Sequence, residues 1–205
     1  MEIDRAAVRE AFDGKPLIEV GGRRFVINPL CEQVPATTAH LLREAARWIL
    51  EAGDFPHAGK LVGEEDKGAI LVAAVSLLSD LPFGMARWYP SGLAGQVQVG
   101  FSMEYTAGTI YLNGVEEGDR VLIVDDMIST GGTLVALVEA VRQAKAEVVD
   151  IVCVAEKVEY GGVERVKRET GLDVKTLVRV SMAGSTSRVL SSAGDSPPTP
   201  LVDVP

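Results

Sequence analysis

Histidine and cysteine are scarce in this chain, two of each in 205 residues. Neither His40 nor His57 has a convergent partner in the sequence, so no Ser-His-Asp arrangement and no metal-ligating cluster can be read. Cys31 and Cys153 stand far apart with no metal-ligand spacing around either. Two reduced cysteines, at least one of them in the core, are the expectation. Cations are also short: 20 Lys and Arg face 29 Asp and Glu, a formal net charge of -9. A surface that acidic repels phosphodiester backbones and anionic membranes, which argues against nucleic-acid and lipid partners. An anionic substrate would need a locally positive pocket inside that field. No apolar run is long enough to span a bilayer, and the first residues lack the charged start and apolar stretch of a secretory leader. A cytoplasmic location follows by default.

What is present is enough apolar residue, 47% of the chain, for one α/β domain with a full core. Residues 4–13 read as a short helix. Two apolar-alternating runs, 16–20 and 23–27, flank Gly21-Gly22, the signal of a tight hairpin. Thr37 or Thr38 then caps a helix running to about Glu51, with Leu41, Leu42, Ala45, Trp48 and Ile49 at helical spacing and Gly53 ending it. From there strands and helices alternate: strands at 60–62, 82–89, 120–126, 147–157 and 173–180, helices at 69–79, 133–145 and 161–170. Two further runs, 96–101 and 109–113, form the arms of a projecting hairpin. Strands apolar on both faces and separated by helices predict an α/β fold, a mostly parallel central sheet flanked by helices. The organisation is an N-terminal helix and hairpin (1–36), a core (37–182) and a tail (183–205). That tail turns to Ser, Gly, Pro and Thr without periodicity and reads as disordered.

The strongest local signal is VLIVDDMISTGGT, residues 121–133. Four aliphatic residues make a buried strand. Asp125 and Asp126 sit at its carboxyl end, where ligands bind in open α/β sheets. The loop Met127, Ile128, Ser129, Thr130, Gly131, Gly132 and Thr133 follows, and a helix begins. Its two glycines let backbone N–H groups close around a phosphate, and the helix start adds positive potential. The hydroxyls of Ser129, Thr130 and Thr133 can donate to the same group. Carboxylates would repel a phosphate, so they need another partner, and the vicinal hydroxyls of a ribose suit them. The unit reads as a cup for a ribose 5-phosphate. It is not a P-loop, because the lysine of the GK[ST] triplet is absent. The competing readings are a Rossmann-like turn beside an acidic strand end, or the magnesium site of a receiver domain.

This stretch resembles the 5-phosphoribosyl-1-pyrophosphate (PRPP) motif of the type I phosphoribosyltransferase family, and the likeness extends over roughly residues 16–182. RFVINPL (24–30), EDKG (65–68), Glu104-Tyr105 and AEKVEYGG (155–162) have counterparts in the adenine branch and in archaeal-type hypoxanthine/guanine enzymes. The resemblance implies a type I phosphoribosyltransferase fold with a projecting hairpin lid, and an N-terminal hairpin hood over the base. It implies transfer of phosphoribose from PRPP to a purine base, with Mg²⁺ bridging substrate oxygens and no protein-held metal, in a homodimer. Lys67 and Gly68 would meet pyrophosphate. Arg87 would reach a neighbouring subunit's site. Glu104, on the lid with Tyr105, would hydrogen-bond N7 of the base. Phe25 would stack on the base, with Val26 and Asn28 framing its edge.

Lys157 ends a strand on the same edge as Asp126. An ammonium donates only, so it suits the carbonyl O6 of a 6-oxopurine and opposes the amino group of adenine. The related oxopurine enzymes place a lysine there. Two departures remove cations: Trp88 stands where the family usually has lysine, and Thr106, Ala107 and Thr109 stand where lysines commonly follow the lid tyrosine. Weaker PRPP binding or slower pyrophosphate departure follows. An adenine enzyme, an enzyme for a specialised heterocycle, and a PRPP-sensing regulator without catalysis stay open at this point.

Overall fold

Apolar strands that alternate with helices are hidden only when both faces of their sheet are covered. The computed structural model describes residues 2–103 and 106–195 and has that arrangement. Helix α1 (Arg5–Phe12) leads to a hairpin of β1 (Leu17–Val20) and β2 (Arg23–Val26), turned by Gly21 and Gly22 at positive φ. Helix α2 (Ala39–Ala52) starts where the Thr38 side chain accepts from Leu41 N at 3.1 Å. That hydroxyl satisfies one of the amides a helix start leaves open. Leu41, Ala45, Trp48 and Ile49 are buried at the spacing the sequence predicts, each large one contributing about 1.5–3 kcal/mol through burial.

The core then runs β3 (Lys60–Glu64), α3 (Gly68–Ser79), β4 (Phe83–Arg87), β5 (Val97–Met103), β6 (Thr106–Asn113), β7 (Arg120–Ile128), α4 (Gly132–Gln143), β8 (Glu147–Lys157), α5 (Gly162–Thr170), β9 (Lys175–Ser181) and β10 (Arg188–Ser192). The main sheet of the described residues has the order β10-β9-β8-β7-β3-β4-β6-β5. Strands β9, β8, β7, β3 and β4 are mutually parallel, and the outer pairs at both edges are antiparallel. Val121–Val124 of β7 are wholly buried. Side chains alternate across a strand, so Leu122 and Val124 join the core under α1, α2 and α3, while Val121 and Ile123 join the one under α4. Cys31 and Cys153 are both free and buried.

The tail departs from expectation. Residues 188–192 are β10, antiparallel to β9. Ser187 Oγ donates to Phe12 O at 2.5 Å, Val189 N donates to Asp13 Oδ1 at 2.8 Å, and Arg9 pairs with Asp195 at 2.8 Å. The segment therefore ties α1 to the sheet edge. Its partners Phe12 and Asp13 lie more than 170 positions away, which local composition does not report. The rest of the Ser/Pro run lies outside the described residues.

Candidate active site

Asp125 and Asp126 end β7 side by side and almost fully buried, at 7% and 5% exposure. Adjacent strand residues face opposite ways, and here the two acids face two adjoining cavities of about 160 Å³ each. Asp125 joins Ser129, Thr130, Gly131, Gly132 and Thr133 around one of them. Asp126 joins Phe25, Val26, Lys67 and Lys157 around the other. Met127 and Ser129 border both.

The first cavity has the make-up of a phosphate cup. Gly131 takes φ +76 as the loop turns into α4, and a Cβ there would lie 2.7 Å from Gly162 O. Only glycine allows that backbone and that closeness. From behind, Arg165 Nη1 donates to Thr130 O at 3.3 Å. In the second cavity Phe25 presents its ring, with Lys157 Nζ 4.7 Å and Lys67 Nζ 5.8 Å from the centroid. Lys157 also donates to Arg24 O at 3.1 Å, and Arg24 N donates to the Tyr160 hydroxyl at 3.0 Å. The end of β8 thus fixes the hairpin over the cavity.

A family model described as "Phosphoribosyl transferase domain" matches residues 35–179. The chain belongs to this phosphoribosyltransferase family. A hypoxanthine/guanine phosphoribosyltransferase of Methanocaldococcus jannaschii is 41% identical over 175 residues, covering 85% of this chain and 94% of the relative. One of Methanopyrus kandleri is 40% identical over 185 residues, covering 90% and 97%. Among solved structures, adenine phosphoribosyltransferase from Rhodothermus marinus superposes with TM-score 0.72 at 28% identity, covering 86% of this chain and 99% of that one. The enzyme from Thermoanaerobacter pseudethanolicus superposes with TM-score 0.73 at 20% identity, covering 85% and 98%, and speaks for the fold alone.

Burial governs the charges of this phosphoribosyltransferase. Desolvation, then the charges of Asp126 and Glu64, pushes the Asp125 carboxyl well above the usual range. Burial raises Asp126 too, offset by a hydrogen bond from the Cys31 thiol and by the Lys67 charge. Asp126 Oδ2 is buried with no hydrogen-bond partner among the described residues. A buried oxygen of that kind costs free energy until something donates to it. Lys157 is pressed below the ordinary lysine value by burial and then by the Lys67 charge. Lys67 is opposed by burial, but the neighbouring Glu32 carboxylate outweighs this and holds it above that value.

Among the other residues expected at the site, Gly68 begins α3, and a Cβ there would lie 3.1 Å from Asp125 Oδ1. The 65–68 turn and the acidic pair are therefore in close contact. Arg87 Nε lies 3.4 Å from Glu65 Oε2 of its own chain. Tyr89 donates to the same carboxylate at 2.6 Å, and Trp88 Nε1 donates to Glu64. Trp88 is therefore tied to the strand end beside the site. Asn28 does not frame the base edge. It is completely buried, its Oδ1 accepts from Leu30 N and Cys31 N at 2.9 Å, and its amide donates to Val26 O. It shapes the loop that follows the hairpin. Glu104 and Tyr105 lie outside the described residues. Cys31 and Glu32 also line the cavity with Phe25 and Lys157 and were not legible, since the stretch after Pro29 carries no periodic pattern.

Proposed function

We propose that the protein transfers the 5-phosphoribosyl group of PRPP to N9 of a 6-oxopurine, hypoxanthine or guanine, releasing pyrophosphate. The observation that carries this reading is Lys157: its ammonium borders the cavity shared by Phe25 and Asp126 and can only donate. A 6-oxopurine stacked on Phe25 offers O6 as acceptor, whereas adenine offers an amino group. The names of the relatives from Methanocaldococcus jannaschii and Methanopyrus kandleri support the same choice.

In this reading the loop 129–133 grips the 5′-phosphate with amides and hydroxyls. The ribose diol donates to Asp125 and Asp126, which gives the orphaned Asp126 oxygen its missing partner. Bond breaking at C1′ leads bond making, so positive charge develops on the sugar. Two fixed carboxylates beside it stabilise that charge without reorganising. Phe25 and Lys157 hold the base so that N9 meets the opposite face of C1′. Lys67 and the amides of its turn receive the pyrophosphate. Glu104, which lies outside the described residues, is given the proton at N7.

Among the described residues no group of three acidic, His or Cys side chains is arranged to hold a metal. The two buried carboxylates fit contacts to ribose hydroxyls and bound water instead. Mg²⁺ bound to PRPP would supply neutralisation of the leaving pyrophosphate, with Asp125 and Asp126 beside it contacting the ribose hydroxyls and metal-bound water.

A homodimer is supported by α3. Its apolar residues run all round: Leu71, Val72 and Val75 face the core, while Ile70, Leu77 and Leu78 are exposed on the outer side. A helix apolar on every side is stable when its outer side is also covered. No helix of the described residues is long and apolar enough to cross a membrane, and we place the enzyme in the cytoplasm.

Steady-state pyrophosphate release with hypoxanthine, guanine, xanthine, adenine, uracil and orotate tests the reading. The oxopurines should lead adenine by at least tenfold in kcat/KM. Faster turnover of adenine would remove the role given to Lys157, and PRPP binding without any release would make the protein a sensor.

A further inference from the structure

Two adjacent arginines of β2 face opposite ways. Arg24 turns toward the sheet edge, where its guanidinium donates to Met182 O at 2.6 Å and Gly184 O at 3.0 Å. Arg23, one position earlier, lines the phosphate cup with Ser129, Gly131, Gly132 and Thr133. Among the described residues around that cavity it is the one cation, and Asp125 the one acid. Phe25, two positions on, lines the neighbouring base cavity. Residues i and i+2 share a strand face. A single face of the hood therefore carries a base-stacking ring and a guanidinium, spaced to serve the two ends of one nucleotide.

We propose that Arg23 is a second anchor for the 5′-phosphate, supplied by the hood instead of by the loop. The inference rests on the phosphoribosyl reading of the cup and deepens it. Residues 129–133 offer amides and hydroxyls but no charge, while a phosphate monoester brings close to two negative charges into a protein of net charge -9. A guanidinium is matched to phosphate oxygens through two parallel N–H donors. Arg23 also lies outside residues 35–179, the part matched by the family model. Because the hood carries both groups, an occupied phosphate cup orders the base site, and nucleotides are held more tightly than their nucleosides.

Titration calorimetry of Arg23→Gln and Arg23→Lys against inosine 5′-monophosphate, inosine and ribose 5-phosphate tests this. For Arg23→Gln, inosine 5′-monophosphate and ribose 5-phosphate should each bind about 10- to 100-fold more weakly, the scale of a charge-assisted hydrogen bond. Inosine should be unchanged, and Arg23→Lys should lie between. Unchanged affinity for both phosphorylated ligands overturns the proposal. Equal weakening of inosine overturns it too, since Arg23 would then act only through the hood's shape. If the parent protein binds ribose 5-phosphate but not inosine 5′-monophosphate, the purine reading fails while ribose 5-phosphate still judges Arg23. Binding of neither phosphorylated ligand to the parent ends both.

Discussion

Lys157 Nζ stands 4.7 Å from the centroid of the Phe25 ring, so the end of β8 and the N-terminal hairpin meet over one cavity. The ammonium both fastens the hairpin, through Arg24 O at 3.1 Å, and faces the place a base would stack. Replacing it by Ala should lower kcat/KM for hypoxanthine by about 10- to 100-fold, the worth of a hydrogen bond to a charged donor. Adenine should lose little or gain. Rates for the two bases measured side by side check this, and equal losses would mean that Lys157 only fastens the hairpin.

Asp126 carries a buried oxygen, Oδ2, that has no hydrogen-bond partner among the described residues. Asp126→Asn keeps the shape but removes charge beside the developing cation. Turnover should fall about 100-fold or more, with little change in Tm. Single-turnover rates compared with the melting curve separate chemistry from folding.

Asp125 should trade stability for function. Its carboxyl is held above the usual range by burial and by Asp126 and Glu64. A raised carboxyl favours the folded state below the ordinary carboxylate range, and that contribution is lost as pH rises through the raised value. At neutral pH the buried carboxyl therefore costs stability. Asp125→Asn should raise Tm there by about 2–4 °C per kcal/mol relieved, and the gain should shrink toward pH 4, near the unperturbed carboxylate pKa. Melting curves of both proteins from about pH 4 to pH 8 measure that difference.

Leu77 on α3 is 82% exposed. If two copies cover this face, Leu77→Asp should give monomers with an unchanged melting profile at low concentration. Light scattering after size exclusion reads the mass directly. A parent protein that is already monomeric would contradict the dimer.

Much of this was legible where local pattern and tertiary role agree. Val121–Val124 read as a strand buried on both faces and is one. Of the two threonines that the sequence offers as cap, Thr38 is the one used, and the Leu41, Ala45, Trp48 and Ile49 spacing of α2 is buried as expected. The loop from Asp125 to Thr133 announced itself because its chemistry is contiguous. What escaped depends on partners far along the chain. Ser187 and Val189 gain their place from Phe12 and Asp13. An amide such as Asn28 suits a base edge by its chemistry alone, yet its carbonyl oxygen is used by the backbone of Leu30 and Cys31. Arg23 and Glu32 come to the cavities through a hairpin and a loop whose positions no periodicity encodes.

A crystal grown with inosine 5′-monophosphate puts the central claim to the most direct test. The account predicts phosphate density against the amides of 129–133, the ribose hydroxyls on Asp125 and Asp126, and the base against Phe25 with O6 toward Lys157. Ligand bound elsewhere, with that loop empty, would contradict it.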